Sequence, residues 1–200
     1  FALKGGHING FTLAYETYGD LNSQGDNAIL ICHALTGDHH VAGVYSESDT
    51  KPGWWNHVVG PDKPIDTNKF FVICSNCLGA CRGSTGPSTM SSEDVLYGEN
   101  FPDLSIGDMV RAQKLLLEHL SVFNLFAVVG GSMGGMQALQ WIFEYPDFSK
   151  KAIIIAATAQ HSVQTIAFNE AGRRSVTGDP DWKEGNYGKG KGPSLSLIHI

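Results

Sequence analysis

The sequence predicts an α/β fold, a mostly parallel sheet flanked by helices, on three observations. Short apolar runs of buried-strand type recur at residues 28–32, 69–74, 126–129 and 151–156. Segments with helical spacing alternate with them, the pattern of strands connected by crossover helices. The third run leads into Gly130-Gly131-Ser132-Met133-Gly134-Gly135 and then into an amphipathic segment, so Ser132 reads as a serine held on a strand-to-helix turn.

Each element has a local reason. Residues 11–18 alternate in polarity after Asn9-Gly10, a hairpin dipeptide, so the N-terminus is expected to add an antiparallel edge. Ser105 with Asp108 three residues on resembles a capping box, and Ile106, Met109, Val110, Leu116, Leu117 and Leu120 follow at helical spacing. Beyond Ser132, Met136, Leu139, Ile142 and Phe143 form one face of a second helix that Pro146 limits. The stretches 41–66 and 78–100 look irregular, and loops of that length in a compact domain are usually functional or partly structured.

Composition bounds the function. With 200 residues, 42% hydrophobic and 17% charged, the chain suits one sizeable core. A net charge of -6 argues against coating nucleic acid or an anionic membrane, so a small-molecule partner is expected. No apolar stretch reaches the roughly 18 residues a membrane-spanning helix needs. Cys74 and Cys77 form a Cys-x-x-Cys, but no second pair stands at zinc-finger spacing, so Cys32, Cys74, Cys77 and Cys81 read as reduced thiols of a cytoplasmic protein.

The chemistry centres on Ser132. Gly130 and Gly134 flank it by two residues on either side, where a Cβ would collide with neighbouring backbone. In a chain with 24 Gly the pentapeptide alone is a weak signal, and its place between strand and helix makes it specific. A serine nucleophile needs oxyanion donors and a base. The donors are expected to be the backbone N–H of Met133 and that of Leu35, in the loop Cys32-His33-Ala34-Leu35-Thr36-Gly37 after an earlier strand. His33 precedes the serine and reads as a loop-orienting or hydrogen-bonded histidine. Past Ser132 stand His161 and His199, and Asp147, Asp179 and Asp181, none at a suitable place. Triad acid and base are therefore assigned to no residue of this chain.

Other residues have ordinary readings. Trp54 and Trp55 could line an entrance or pin their loop, and His39-His40 is a poor metal pair, so no metal is expected. Arg82 and Arg111 read as ion-pair partners, and the Lys-Gly run at 188–192 as solvated linker.

Segments 13–19, 32–37, 52–55 with 60–61, 70–76, 83–87, 108–114, 130–137 and 167–170 together resemble homoserine O-acetyltransferases of the α/β-hydrolase superfamily. The resemblance runs from about Leu13 to Trp182 and stops near Tyr187. It implies an α/β-hydrolase fold with an incomplete sheet, residues 1–160 as the N-terminal part of the core and 161–187 as the start of a helical lid. Residues 188–200 are then a disordered or non-native tail. It further implies Ser132 as nucleophile and the amides of Leu35 and Met133 as oxyanion donors. Acetyl-CoA is the implied co-substrate, with no permanently bound cofactor, and L-homoserine the acceptor, in a ping-pong transfer that feeds methionine biosynthesis. The related alternatives are a homoserine or serine O-succinyltransferase and a serine esterase of the same fold. Lacking lid, acid and histidine, the chain is expected to be inactive alone. The family's lid helices pair subunits, so a homodimer is not expected of this chain by itself.

Overall fold

The computed structural model describes residues 1–91, 95–185, 187 and 192–194. Contacts divide the chain into two compact units, one of Phe1–Gly86 with Pro102–Ala157 and one of Pro87–Phe101 with Thr158–Ile200. The expected boundary at 160 thus falls at Ala157, and Pro87–Phe101, expected within the core, groups with the second unit. Most of the expected tail, including His199, lies outside the described residues.

The first unit holds nine strands. β1 (Ala2–Leu3) and β2 (Gly6–His7) form a small hairpin, and β5 (Val59–Gly60) pairs with β6 (Ile65–Asp66) in parallel. The main sheet comprises β3 (Tyr15–Tyr18), β4 (Ala28–Cys32), β7 (Phe71–Ser75), β8 (Ala127–Gly131) and β9 (Ala152–Ile155). Its order is β3-β7-β4-β8-β9, with β3 antiparallel to β7 and every other pair parallel.

The N-terminal edge strand is shorter than its alternation predicts. Residues 12 and 14 spend their backbone groups on the loop that follows β7: Thr12 N–H donates to Thr85 Oγ1 (2.9 Å) and Ala14 N–H to Ser84 Oγ (3.1 Å). Asn9-Gly10 is not the hairpin turn; the hairpin lies just before it, at β1 and β2.

All five residues of β4 are buried, as a strand covered on both faces must be. On one face Leu30, Ile73 and Val128 meet Val110, Leu117, Ala138 and Trp141 from helices α1 (Ile106–His119) and α2 (Met133–Glu144). On the other, Ile29, Ile31, Val72 and Val129 meet Val41, Ala42 and Val59. The irregular stretch 41–66 therefore does the work of a helix layer. It covers a sheet face with loop, and it is tied down by Trp55 N–H to Val41 O at 2.8 Å.

α1 begins with the expected capping box, Ser105 and Asp108 bonding each other's backbone N–H. The Asp108 carboxylate is fully buried and also accepts from Lys4 N–H and Arg111. In α2 the buried face is Gly134, Gly135, Gln137, Ala138 and Trp141, not the expected Met136, Leu139, Ile142 and Phe143; Phe143 is 80% exposed. The reason is that glycines let the first turn approach the sheet, and polar Gln137 finds partners inside. Hydrophobic periodicity cannot register either effect.

The second unit contains α3 (Val163–Thr177), capped by the Ser162 side chain accepting Thr165 N–H at 3.2 Å.

Candidate active site

Ser132 follows the last residue of β8 and precedes the first residue of α2, with φ 55° and ψ -123°. This is a left-handed backbone that a serine adopts only where its surroundings impose it, at a cost of about 1–3 kcal/mol. The imposing contacts are visible. Ser132 N–H donates to Ile155 O (2.9 Å) at the end of β9, and Ser132 O accepts Met136 N–H (3.1 Å) from the first turn of α2. A Cβ at Gly130 would overlap Gly134 O, and one at Gly134 would overlap Cys32 O and crowd His33 O. The two glycines thus let the elbow close on itself and let α2 press against the end of β4. Ser132 is exposed, and its Oγ takes no hydrogen-bond partner among the described residues.

Leu35 and Met133 line one cavity of about 430 Å³, together with His33, Cys77, Leu78 and Met109. Leu35 N–H has no hydrogen-bond partner among the described residues. Met133 N–H belongs to the first turn of α2, whose unpaired amides carry the positive end of the helix dipole and favour developing negative charge. The two residues expected to supply the donors thus line one cavity, and Ser132, next to Met133 in the chain, is not itself among its lining residues. Among the described residues lining it, Arg82 is the one cation, and Asp38 neutralises it at 2.5 Å.

The walls are fixed by buried polar groups that sequence reasoning did not place. His33 is 1% exposed; its Nε2 accepts Cys77 N–H at 3.0 Å, so Nδ1 carries the proton and donates to Ala34 O at 2.7 Å. Burial holds the imidazole below its ordinary pKa and hence neutral. Behind it, Gln137 Oε1 accepts Gln113 Nε2–H at 2.7 Å, and Gln113 Oε1 accepts Trp141 Nε1–H at 2.7 Å. Gln137 Nε2 reaches His33 O and Met133 O, both at 3.5 Å, joining the two sides of the cavity from beneath. A glutamine inside an apolar helical repeat was the available signal.

The remaining candidates resolve into structure. Cys32, Cys74 and Cys77 are buried free thiols, Cys77 with its pKa pushed up to about 12 by burial, and Cys81 is an exposed one. Trp54 stacks on Trp55 and donates Nε1–H to Asp38 O at 2.9 Å, pinning its loop. His40 bonds Glu16 at 3.0 Å, with His39 4.0 Å from the same carboxylate. Arg111 pairs with Asp108 and Glu144. His161 belongs to the second unit and is not among the described residues that line this cavity, and His199 lies outside the described residues.

A homoserine O-acetyltransferase of Methanococcoides burtonii is 54% identical over 199 residues, covering 98% of this chain and 41% of the relative. Among solved structures, esterase E22 superposes with a TM-score of 0.87 at 37% identity, over 96% of this chain and 55% of that one. The homoserine O-acetyltransferase of Bacillus anthracis superposes with a TM-score of 0.88 at 34% identity, over 94% of this chain and 53% of that one. The chain thus spans about half the length, or less, of the relatives it matches. Among the described residues no helix is long and apolar enough to cross a membrane. With the alpha/beta hydrolase fold family matched across residues 27–198, the chain belongs to the α/β-hydrolase family.

Proposed function

We propose that this chain carries the nucleophile and the oxyanion donors of a homoserine O-acetyltransferase acting in methionine biosynthesis. The observation that carries the reading is the exposed Ser132 at φ 55°, placed beside a cavity that both Leu35 and Met133 line. Ser132 Oγ attacks the thioester carbonyl of acetyl-CoA while its proton passes to a general base. The amides of Leu35 and Met133 hold the oxyanion, and CoA leaves with a proton, forming an acetyl-serine. The γ-hydroxyl of L-homoserine then attacks that ester, loses its proton and releases Ser132. No cofactor is permanently bound and no metal takes part. Partners are small molecules rather than nucleic acid or membrane, in a cytoplasmic enzyme. Base and acid are assigned to no residue of this chain, so the 200-residue chain alone turns over little or nothing and is not expected to dimerise.

The acyl group is supported by the cavity. Its walls are largely apolar and its cation Arg82 is already neutralised by Asp38, so an acetyl group fits it better than a succinyl carboxylate. A second reading, serine esterase, is favoured by the likeness to esterase E22 and by the exposure of Ser132, which admits water to an acyl-enzyme.

The test uses the chain and a version continued to the length of its relatives. Each is incubated with acetyl-CoA or succinyl-CoA and with homoserine or serine, and thiol release and products are followed. The proposal expects O-acetylhomoserine from the longer version and its loss in Ser132→Ala. Free acetate as the sole product would establish the esterase reading, and thiol release untouched by Ser132→Ala would end both.

A further inference from the structure

The peptide that presents Leu35 N–H is itself gripped by a side chain. A trans peptide holds its C=O and N–H antiparallel, so whatever fixes Ala34 O also aims Leu35 N–H, the other end of the same rigid unit. Two donors fix that oxygen: His33 Nδ1–H at 2.7 Å and Gly37 N–H at 2.9 Å. The imidazole cannot turn over to offer its other nitrogen, because Cys77 N–H occupies Nε2 at 3.0 Å. Cys77 lies in the loop after β7, so a residue of one loop sets the proton position that orients the other.

We propose that His33 is the positioning residue of the oxyanion donor. Locked as the Nδ1–H tautomer by the Cys77 amide, it holds the Ala34–Leu35 peptide with its N–H free for the substrate oxygen. The inference rests on the reading of Leu35 as an oxyanion donor. Three observations carry it: both ring nitrogens are engaged, the ring is 1% exposed, and Leu35 N–H has no partner among the described residues. Hydrogen bonds to a carbonyl also polarise its amide, so the clamp strengthens Leu35 N–H as a donor besides aiming it. The same engagement excludes His33 as the base for Ser132. A base needs a free lone pair, and the one on Nε2 is spent on Cys77.

The experiment is nuclear magnetic resonance on the isotope-labelled 200-residue chain at neutral pH, which requires no turnover. Long-range proton–nitrogen correlations of His33 are expected to show a protonated Nδ1 and an unprotonated Nε2. The Leu35 amide nitrogen, whose resonance responds to hydrogen bonding at the preceding carbonyl, reads the clamp in variants. Asn at this position places an amide N–H near the site of Nδ1, whereas Gln places it near that of Nε2. His33→Asn is therefore expected to keep the Leu35 resonance and His33→Gln to shift it, with the Val110 and Leu117 amides unmoved as reporters of the fold. A protonated Nε2 in the unsubstituted chain would overturn the proposal even if every variant failed to fold. So would a Leu35 resonance that moves equally in both variants or in neither. Ser132→Ala is expected to leave these signatures intact while abolishing acyl transfer in the longer version, so the clamp and the acyltransferase reading fail in different measurements.

Discussion

The two sides of the cavity reach the same end by opposite means. The elbow at Ser132 is built by removing side chains: Gly130 and Gly134 let backbone meet backbone, and the strain at φ 55° is held by main-chain bonds to Ile155 and Met136. The Leu35 loop is built by adding a side chain, with His33 bridging Cys77 N–H to Ala34 O. A backbone made tight by glycine has no adjustable part, whereas a loop held by one imidazole depends on that ring's proton. The elbow should therefore be intolerant of volume and indifferent to pH, and the loop the reverse.

The largest effect is expected at Gly134. In Gly134→Ala the new methyl overlaps the Cys32 carbonyl and meets His33 O, backbone that can yield only by moving β4 or α2. We expect a loss of about 3 kcal/mol or more, the upper range for overpacking a well-filled site, read as a fall in the urea midpoint. A neutral substitution would break the contrast at its first term. Next comes Gln137, which serves both sides. Gln137→Met keeps the volume but strands Gln113 Nε2 and removes the donor to His33 O and Met133 O. Leaving a buried amide unsatisfied costs about 1–3 kcal/mol. The same measurement checks it, and Gln113→Met added to Gln137→Met should not recover the loss, because Trp141 Nε1–H then loses its acceptor inside the core.

How far the sequence foretells these features follows from the same contrast. Glycines spaced about a serine between a strand and a helix are a local pattern, so Ser132, Gly130, Gly134 and the parallel sheet around them are legible. The Ser105–Asp108 capping box is legible for the same reason, being closed within one helical turn. What joins Cys77 to His33, or Gln113 to Gln137, lies across 44 and 24 residues of chain and leaves no periodic trace. The face of α2 differs from the one its periodicity predicts because its buried positions include two glycines and a glutamine, while Phe143 is exposed. The stretch 41–66 reads as irregular, and apart from the two-residue strands β5 and β6 it is; only packing reveals that Val41, Ala42 and Val59 cover a sheet face.

A third prediction turns on protons. Burial lowers the pKa of His33 from the ordinary 6.5, with Asp38 favouring the charged ring and His39 opposing it. Between the unfolded and folded values the unfolded chain binds more protons, so stability rises with pH across that interval. The His33 contribution is fully present above pH 6.5 and is lost as the pH falls toward the folded value. Urea midpoints from pH 7.5 downward should therefore drop less steeply in His33→Asn than in the unsubstituted chain. An identical slope would mean that the buried imidazole is not a proton-sensitive member of the site.

The smallest effect is expected at Arg82, where a salt bridge and a strained backbone oppose each other. Its side chain is 73% exposed, so the 2.5 Å pair with Asp38 contributes at most about 1 kcal/mol. Asp38 also keeps its bond from His40 N–H at 2.9 Å when the arginine is gone, which limits the loss further. Arg82 sits at φ 67°, however, where a residue with a Cβ is disfavoured by about 1–2 kcal/mol and glycine is not. Arg82→Ala removes the pair and keeps the strain, so it should be mildly destabilising. Arg82→Gly removes both and should be more stable than Arg82→Ala by about 1 kcal/mol, offset in part by the unfolded-state entropy of glycine. Thermal melts of the two variants side by side give the sign directly. If alanine proved the better residue, a positive φ would carry little penalty on this loop, and the strain inferred at Ser132 would rest on its packing alone.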